Sequence, residues 1–532
     1  MERLAGRVML LWGWRRVVLA IAAGAIGALA LPPIGFFAAL FVSFPVLVWL
    51  MDGVAGQPGS GSTAQLRSAF LLGWLFGFGY FVAGLWWLGN ALLVEADSFA
   101  WALPLAVFGL PAFLAFFYGL ATLVAYILWS DGMGRLAALA LGFGLAEWLR
   151  SFVATGFPWN AIGYGVMPMP VMMQSAGVVG LFGVTALAVF VLSVPALLGT
   201  RRGLRSGLAI GLILSCAHLG FGVYRLSQAA ETTGPDRRQT VVRIVQPVID
   251  QSRKLENTDR ATIFEEHLSL SAQPPAKGAD RPDIIVWPET SVPFILTENP
   301  DALLRIAEVL DDGQMLVAGA VRSEHAAAGM APRYYNSVYA IDGRGQILAA
   351  SDKVHLTPFG EYVPFEDWLR DLGIDNLVAF PGGFSAAAVR SLLTLPGGIV
   401  LYPMICYEAI FPEEVGDEIE RAGAILNITN DAWFGDTPGP YQHFQQARLR
   451  AVEAGLPMIR GANSGISAVI DPWGRIVEGL AFNHKGVVDA AIGDPSGSAW
   501  NNSARRMHFW LIMLAMFVIA AISRLGFNSA SN

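Results

Sequence analysis

The sequence predicts a membrane α-helical bundle of eight spans joined to an α/β layered domain. Three observations predict it. First, four long stretches carry no charged side chain: Arg16 to Asp52, Arg67 to Glu95, Asp97 to Asp131, and Arg150 to Arg201. A span needs about 20 apolar residues to cross the hydrocarbon core; each stretch exceeds that, and some hold two spans. Second, charge returns between about Asp236 and Asp494, where Asp, Glu, Arg and Lys are scattered among apolar runs. Third, short β-branched runs alternate with amphipathic stretches in that region, the pattern of an α/β domain. Over all 532 residues the chain is 54% hydrophobic and only 14% charged, against roughly 25% charged in a typical soluble domain.

The spans are expected at residues 17–31, 34–51, 68–93, 101–128, 136–153, 171–199, 206–224 and 507–524. Pro32-Pro33 divides the first long run into a helical hairpin, because proline cannot continue a helix. The expected division is 1–228 for seven spans, 229–239 for a linker, 240–495 for the soluble domain, and 496–532 for the last span and a short tail. Lys and Arg collect in cytoplasmic loops. Arg3, Arg7, Arg15, Arg16, Arg67, Arg135, Arg201, Arg202 and Arg205 then place the N-terminus inside, against Arg150, Arg225, Arg505 and Arg506 outside. Seven spans before residue 230 put the soluble domain on the opposite face. Arg15-Arg16 before an apolar run imitates a signal peptide, but the further spans argue for a retained first helix.

In the soluble region, strands are expected at Val241–Gln246, Asp283–Trp287, Met315–Ala320, Ser337–Ile341, Ile399–Ile405, Ala424–Thr429, Met458–Gly461, Ser467–Ile470 and Val487–Ala491. Helices are expected at Asp259–Ser271, Pro300–Leu310, Pro412–Ala422 and His443–Gly455.

Three strand ends carry candidate chemistry. Leu401-Tyr402-Pro403-Met404-Ile405-Cys406 is an apolar strand ending in cysteine, with a helix expected from near Phe411. Backbone N–H groups and a helix dipole at such a turn favour a thiolate nucleophile; a buried structural cysteine fits the run equally well. Ile284-Ile285-Val286-Trp287-Pro288-Glu289 sets Glu289 at the C-terminal end of a strand, where open α/β sheets bind ligands. A carboxylate there can act as general base, or simply stand on a surface loop. Ser351-Asp352-Lys353-Val354-His355-Leu356 places a scarce lysine between a strand and a loop rich in Pro, Gly and aromatics. Lysine can stabilise an oxyanion, although most lysines are merely solvated. Cys216 lies within an apolar span and is expected to pack as a small hydrophobe. Two cysteines allow no disulfide framework, and no Cys/His spacing marks a zinc site. The net charge of −7 argues against nucleic acid.

Trp-Pro-Glu, Asp-Lys-Val-His-Leu and Cys-Tyr-Glu, in this order, resemble the local text of the nitrilase superfamily. With the spans, the whole chain resembles its membrane-embedded branch, the apolipoprotein N-acyltransferase family. Further matches are Gly156-Phe157-Pro158-Trp159-Asn160-Ala161-Ile162-Gly163-Tyr164, Pro438-Gly439-Pro440-Tyr441-Gln442-His443 and Arg460-Gly461-Ala462-Asn463-Ser464-Gly465. The resemblance implies an αββα sandwich and an acyl transfer in two halves. Glu289 would be the base, Cys406 the nucleophile and Lys353 the oxyanion stabiliser, with Glu361, Tyr407 and Glu408 supporting. A phospholipid, phosphatidylethanolamine first, would be the donor. The α-amine of the diacylated N-terminal cysteine of an apolipoprotein would be the acceptor. A thioester on Cys406 would link the halves, with no metal and no cofactor. It also implies a monomer in the bacterial inner membrane with its catalytic domain periplasmic. The chain departs from the family at Leu255, where tryptophan is frequent. The aromatic segments Pro358–Trp368 and Trp433–Phe444 are expected as lids at headgroup level.

Two other classes remain open at this point. A membrane-tethered amidase would use the same three residues, but an anchor needs only one or two spans. A transporter or scaffold would place ionisable residues inside spans, and Glu147 is the clearest of these.

Overall fold

A computed structural model describes residues 1–55, 61–229, 239–255, 257–277, 279–325, 332–364, 383–496 and 501–530. Residues 230–238 of the expected linker lie outside them, as do residues 365–368 of the first expected lid and the side chain of Leu255. The chain forms two compact units. One comprises Met1–Ala229, Asp436–Gln445 and Ala499–Asn532; the other comprises Ala230–Gly435 and Gln446–Ser498. Asp436–Gln445, within the soluble region of the sequence-based division, thus clusters with the helices.

In the helical unit, seven helices among the described residues are long and apolar enough to cross a membrane. They are Gly13–Ala30, Phe37–Ala55, Ser62–Leu93, Ala96–Ile127, Ala176–Gly199, Leu204–Gln228 and Asn502–Gly526. Pro32 and Pro33 fall between the first two, as expected from their fixed φ and missing N–H. The span expected at 136–153 is also helical, at Met133–Arg150, but it carries Arg135, Glu147 and Arg150 and lacks the apolar composition of the other seven. All three charged side chains are buried and paired. Arg135 meets Asp52 at 2.6 Å. Glu147 accepts a hydrogen bond from the Tyr118 hydroxyl at 2.6 Å and pairs with Arg150. Arg150 also donates to the carbonyls of Phe157 and Trp159. Cys216 departs from expectation: it is exposed on helix Leu204–Gln228, which buries few side chains.

The α/β unit contains two six-stranded sheets. The first joins β1 (Val241–Gln246), β2 (Ile284–Val286), β3 (Met315–Glu324), β4 (Arg333–Asp342), β5 (Ile347–Asp352) and, beyond β1, β12 (Gly486–Ala491), in the order β12-β1-β2-β3-β4-β5. The second joins β6 (Leu393–Thr394), β7 (Val400–Ile405), β8 (Ala424–Asn430), β9 (Met458–Asn463), β10 (Ser467–Ile470) and β11 (Ile476–Leu480), in the order β11-β10-β9-β8-β7-β6. β1, β2 and β3 run parallel, as do β7, β8 and β9.

Side chains alternate across a strand, and the core follows that period. Val242, Ile244, Val286 and Val317 from one sheet pack with Leu401, Ile405, Leu426 and Ile459 from the other. The opposite face of the first sheet, with Val245, Ile285, Leu316 and Ile341, packs with Phe264 and Leu268 of helix Arg260–Ser271 and Ile306 of helix Pro300–Val309. Strands β5, β6 and β11 were not anticipated. β5 is mostly half-buried and β11 almost wholly exposed, so they lack a clean apolar run.

One expected helix is absent. Pro412–Ala422 forms separate 3₁₀ turns, Pro412–Glu414 and Asp417–Arg421. The Tyr402 hydroxyl, reaching from β7, accepts the Gly416 N–H at 3.1 Å and lies 3.3 Å from the Glu414 carbonyl. It bonds backbone groups that a continuous helix would have paired internally.

Candidate functional site

Glu289, Lys353 and Cys406 come together in the α/β unit, each just beyond a strand: β2, β5 and β7. Two strand exits are strained. Cys406 has φ +50° and Thr290, beside Glu289, has φ +44°. Positive φ is uncommon for residues with a Cβ and unusual for a β-branched one. Such strain persists only where surrounding contacts over-determine it.

Those contacts are specific. Glu289 Oε1 accepts a bond from Asn336 Nδ2 at 2.7 Å, and Oε2 accepts the Asn430 backbone N–H at 2.9 Å. Asn336 spends its second amide hydrogen on Glu361 Oε1, also at 2.7 Å. One side chain on β4 therefore holds two carboxylates apart. Lys353, 1% exposed, sets its ammonium 2.8 Å from Glu361 Oε2, 3.7 Å from Glu289 Oε1 and 3.4 Å from Thr357 Oγ1. Its backbone is pinned on both sides, N–H to the Asn336 carbonyl and carbonyl to the Ala387 N–H. Burial opposes the ammonium, but Glu361, Glu289 and Cys406 outweigh that penalty and raise its pKa above the ordinary lysine value.

Burial, and then the Glu289 charge, push the Cys406 thiol well above the usual range; Lys353 works in the opposite direction. The expected resting thiolate is thus not favoured here: burial and the Glu289 charge oppose it, and the expected helix does not follow. The Cys406–Ile410 segment is a 3₁₀ turn. Beneath the thiol, the Thr429 hydroxyl lies 3.2 Å from Cys406 Sγ and 2.8 Å from Asp431 Oδ1. Asp431 is in turn paired with the buried Arg460 at 2.9 Å.

Glu408 ties two strand ends together. Its carboxylate accepts the N–H of Ile405 at 2.6 Å and of Val354 at 2.8 Å, and pairs with Arg390 at 2.7 Å. Burial works against its ionised form, but Arg390 and the backbone donors overcome this and hold its pKa below the usual carboxylate range. Tyr407 points elsewhere, packing edge-on against His355 (5.6 Å) and Phe411 (5.0 Å). Asn336, Thr429, Asn430 and Arg390 were missed from sequence. Thr429 and Asn430 close β8, whereas Asn336 lies within β4 and Arg390 in the loop before β6, positions that many uninvolved residues share. Lys254 is a further cation here, half-buried, 3.4 Å from the Glu289 carbonyl, its pKa pushed down to about 8 by burial against the pull of Glu289.

Gly319 on β3 explains how Glu289 is seated. Its N–H donates to the Pro288 carbonyl at 3.2 Å, and its carbonyl accepts from Ser291 at 2.9 Å. A methyl group there would lie 2.7 Å from Glu289 Cα and 2.8 Å from Thr290 N. Gly319→Ala is therefore expected to displace Glu289, destabilising the unit by about 1–3 kcal/mol and slowing Cys406 chemistry by up to about a hundredfold. Thermal unfolding and the rate of Cys406 modification, measured together, check this; a wild-type rate would overturn it.

A thiol, two carboxylates and an ammonium gathered on a layered α/β fold form an arrangement able to carry cysteine-dependent acyl chemistry. Residues 241–502 match the family model described as carbon-nitrogen hydrolase, and residues 23–194 match the apolipoprotein N-acyltransferase N-terminal domain. The chain is 65% identical to the apolipoprotein N-acyltransferase of Allorhizobium ampelinum and 64% identical to that of Agrobacterium fabrum, with 100% of each chain covered in both pairs. An amidase from Nesterenkonia sp. of known structure is 17% identical, covering 52% of this chain and 98% of its own, with a TM-score of 0.36. The chain belongs to the apolipoprotein N-acyltransferase family, and with its apolar helices it is a multi-pass bacterial membrane protein.

Proposed function

We propose that the chain transfers an acyl group from a phospholipid, phosphatidylethanolamine first, to the α-amine of the diacylated N-terminal cysteine of an apolipoprotein. The reading rests on one observation: Glu289, Lys353 and Cys406 share a buried cluster in a member of this family. In the first half, Glu289 takes the Cys406 proton as Sγ attacks the ester carbonyl. Lys353 stabilises the tetrahedral oxyanion. The glycerol oxygen leaves with the proton from Glu289, giving lysophospholipid and a thioester on Cys406. In the second half the amine attacks the thioester, loses its proton to Glu289, and Cys406 regains that proton as it leaves. Splitting the transfer replaces one difficult step by two easier ones. Because the thiol pKa is raised, proton removal accompanies attack, and the proton moves within the cluster without changing its net charge.

Incubation with phospholipid alone is expected to leave an acyl adduct on Cys406, visible by mass spectrometry and discharged by a diacylated lipopeptide. An enzyme that triacylates the lipopeptide without ever carrying the adduct would sink the mechanism.

We also read Met133–Arg150 as an eighth span. Its three charges face partners inside the bundle, where intramembrane charges are placed. Seven spans then precede the α/β unit, and the basic loops put the N-terminus in the cytoplasm. The α/β unit is periplasmic on this reading and the membrane is the inner one. Alkaline phosphatase fused in the 239–255 region is expected to be active, and a fluorescent protein at the C-terminus to fluoresce. The reverse pattern would remove the eighth span.

A further inference from the structure

Lys254 has no part in the cysteine chemistry, yet the α/β unit holds it beside the base. It stands on the short helix Gln251–Leu255, which follows β1. The segment leaving β1 is fixed by buried amides. Asn463 Oδ1 accepts the Ile249 N–H and Asn463 Nδ2 donates to the Ile249 carbonyl, both at 2.8 Å. Asn430 Nδ2 donates to Gln251 Oε1 at 2.7 Å, and Asn430 Oδ1 accepts from Asn463 Nδ2 at 2.9 Å. Asn430 also gives its backbone N–H to Glu289 Oε2. Gln251, Asn430 and Asn463 are all buried, so the start of the helix is tied to the residue that seats the base. The two cations of this helix are used differently. Arg253 pairs with Asp259 at 2.8 Å and with Glu266 at 3.3 Å. Among the described residues no carboxylate pairs with Lys254, and its ammonium meets the carbonyls of Glu289 and Thr290 at 3.4 and 3.5 Å. An ammonium offers three donors, and contacts of that length use them poorly. Burial costs the charged form and pulls its pKa to about 8, with the Glu289 charge working the other way. A half-buried cation with spare donors is therefore held next to the base, and a bound anion would relieve its burial.

We propose that Lys254 recognises the acyl donor: its ammonium binds a phosphodiester oxygen of the phospholipid whose ester carbonyl Cys406 attacks. The inference rests on the function proposed above, in which the acyl donor is a phospholipid. A glycerophospholipid carries its phosphate diester, a permanent anion, across the glycerol from the reacting ester. The ammonium likewise stands beside the base that serves that ester. Lysine meets phosphate as a compact point charge, so the contact reads the phosphate and tolerates different groups beyond it.

The full chain in detergent is given two acyl donors with the same chain, phosphatidylethanolamine and a nitrophenyl ester, and acylation of Cys406 is followed by mass spectrometry. Lys254→Met is expected to raise the half-saturating mole fraction of phosphatidylethanolamine about tenfold, the size of one charge-assisted hydrogen bond, and to leave the nitrophenyl ester rate near the native one. Lys254→Arg keeps the charge and should keep the native response to both. Should Lys254→Met fail to fold, Lys254→Gln carries the same comparison. An equal loss with both acyl donors would overturn the proposal, since Lys254 would then serve by holding the Glu289 and Thr290 carbonyls. A second measurement needs no variant at this position. In a Cys216→Ser chain, non-hydrolysable dialkyl ether phosphatidylethanolamine should protect Cys406 from iodoacetamide better than the dialkylglycerol that lacks phosphate. Equal protection by the two lipids, or by inorganic phosphate alone, would overturn the assignment to a lipid phosphate. A native chain that takes acyl groups from the nitrophenyl ester and never from phospholipid would instead strike the proposed function, and the ether-lipid protection would still read the phosphate contact by itself.

Discussion

Glu289→Gln is expected to slow acylation of Cys406 by about 10²–10⁴, the range usual for losing a general base. The substitution keeps the shape, so the change is one of chemistry. Burial and the Glu289 charge push the Cys406 thiol up, so attack needs a base, and the substitution removes the one proposed for it. The glutamine also fits its surroundings badly. Both partners of the native carboxylate are donors, Asn336 Nδ2 and the Asn430 N–H. Whichever way the new amide turns, its NH₂ faces one of them, a mismatch worth about 1–3 kcal/mol. Removing the Glu289 charge takes away one of the influences that raise the thiol pKa, so thiolate becomes available at lower pH than in the native chain. The residual rate of the variant should climb with pH as hydroxide forms that thiolate, while the native rate is far less pH-dependent near neutrality. Single-turnover acylation measured across pH decides it, and a native rate at neutral pH would exclude Glu289 as base.

Lys353→Met is expected to lower the acylation rate by about 10²–10³, comparable to the loss of one oxyanion donor. It should also change how stability depends on pH. In the native chain the folded pKa of Lys353 is raised. Its contribution is therefore fully present below the unfolded lysine value of about 10.4 and is lost only as pH rises through the folded value. In the variant, Glu289 and Glu361 remain buried, their side chains 8% and 10% exposed in the native chain, with Asn336 shared between them and the ammonium between them gone. Two like charges sharing a site raise one carboxyl pKa. The variant should then be most stable in mild acid and lose stability toward neutral pH, an interval over which Lys353 keeps its full contribution in the native chain. Thermal unfolding at several pH values tests this, and a parallel pH profile for the two proteins would count against the ion-pair geometry.

Sequence and structure agree most closely where apolar pattern decides. Strands β1 and β10 fall at their expected residues, because each is a short run buried without interruption. The first two helices separate at the proline pair. The helix expected after Cys406 failed because Tyr402, on the preceding strand β7, reaches the backbone there, a contact that local propensity does not contain.

Taken by itself, the sequence determined that the chain has a membrane part and an α/β part. It also determined that Glu289, Lys353 and Cys406 stand at strand ends in an order shared with a known family. Hydrophobic period and strand-end position are local properties, legible without a fold. Only the tertiary structure decided how Asn336 separates two carboxylates, how Glu408 joins the β5 and β7 exits, why three charges are tolerated in Met133–Arg150, and that Gln442 meets the indole of Trp159. Most of these rest on hydrogen bonds and ion pairs between residues far apart in the chain, Gln442 and Trp159 being separated by 283 positions. A buried polar group is stable only when its partners arrive from elsewhere, and those partners leave no mark in the sequence around it.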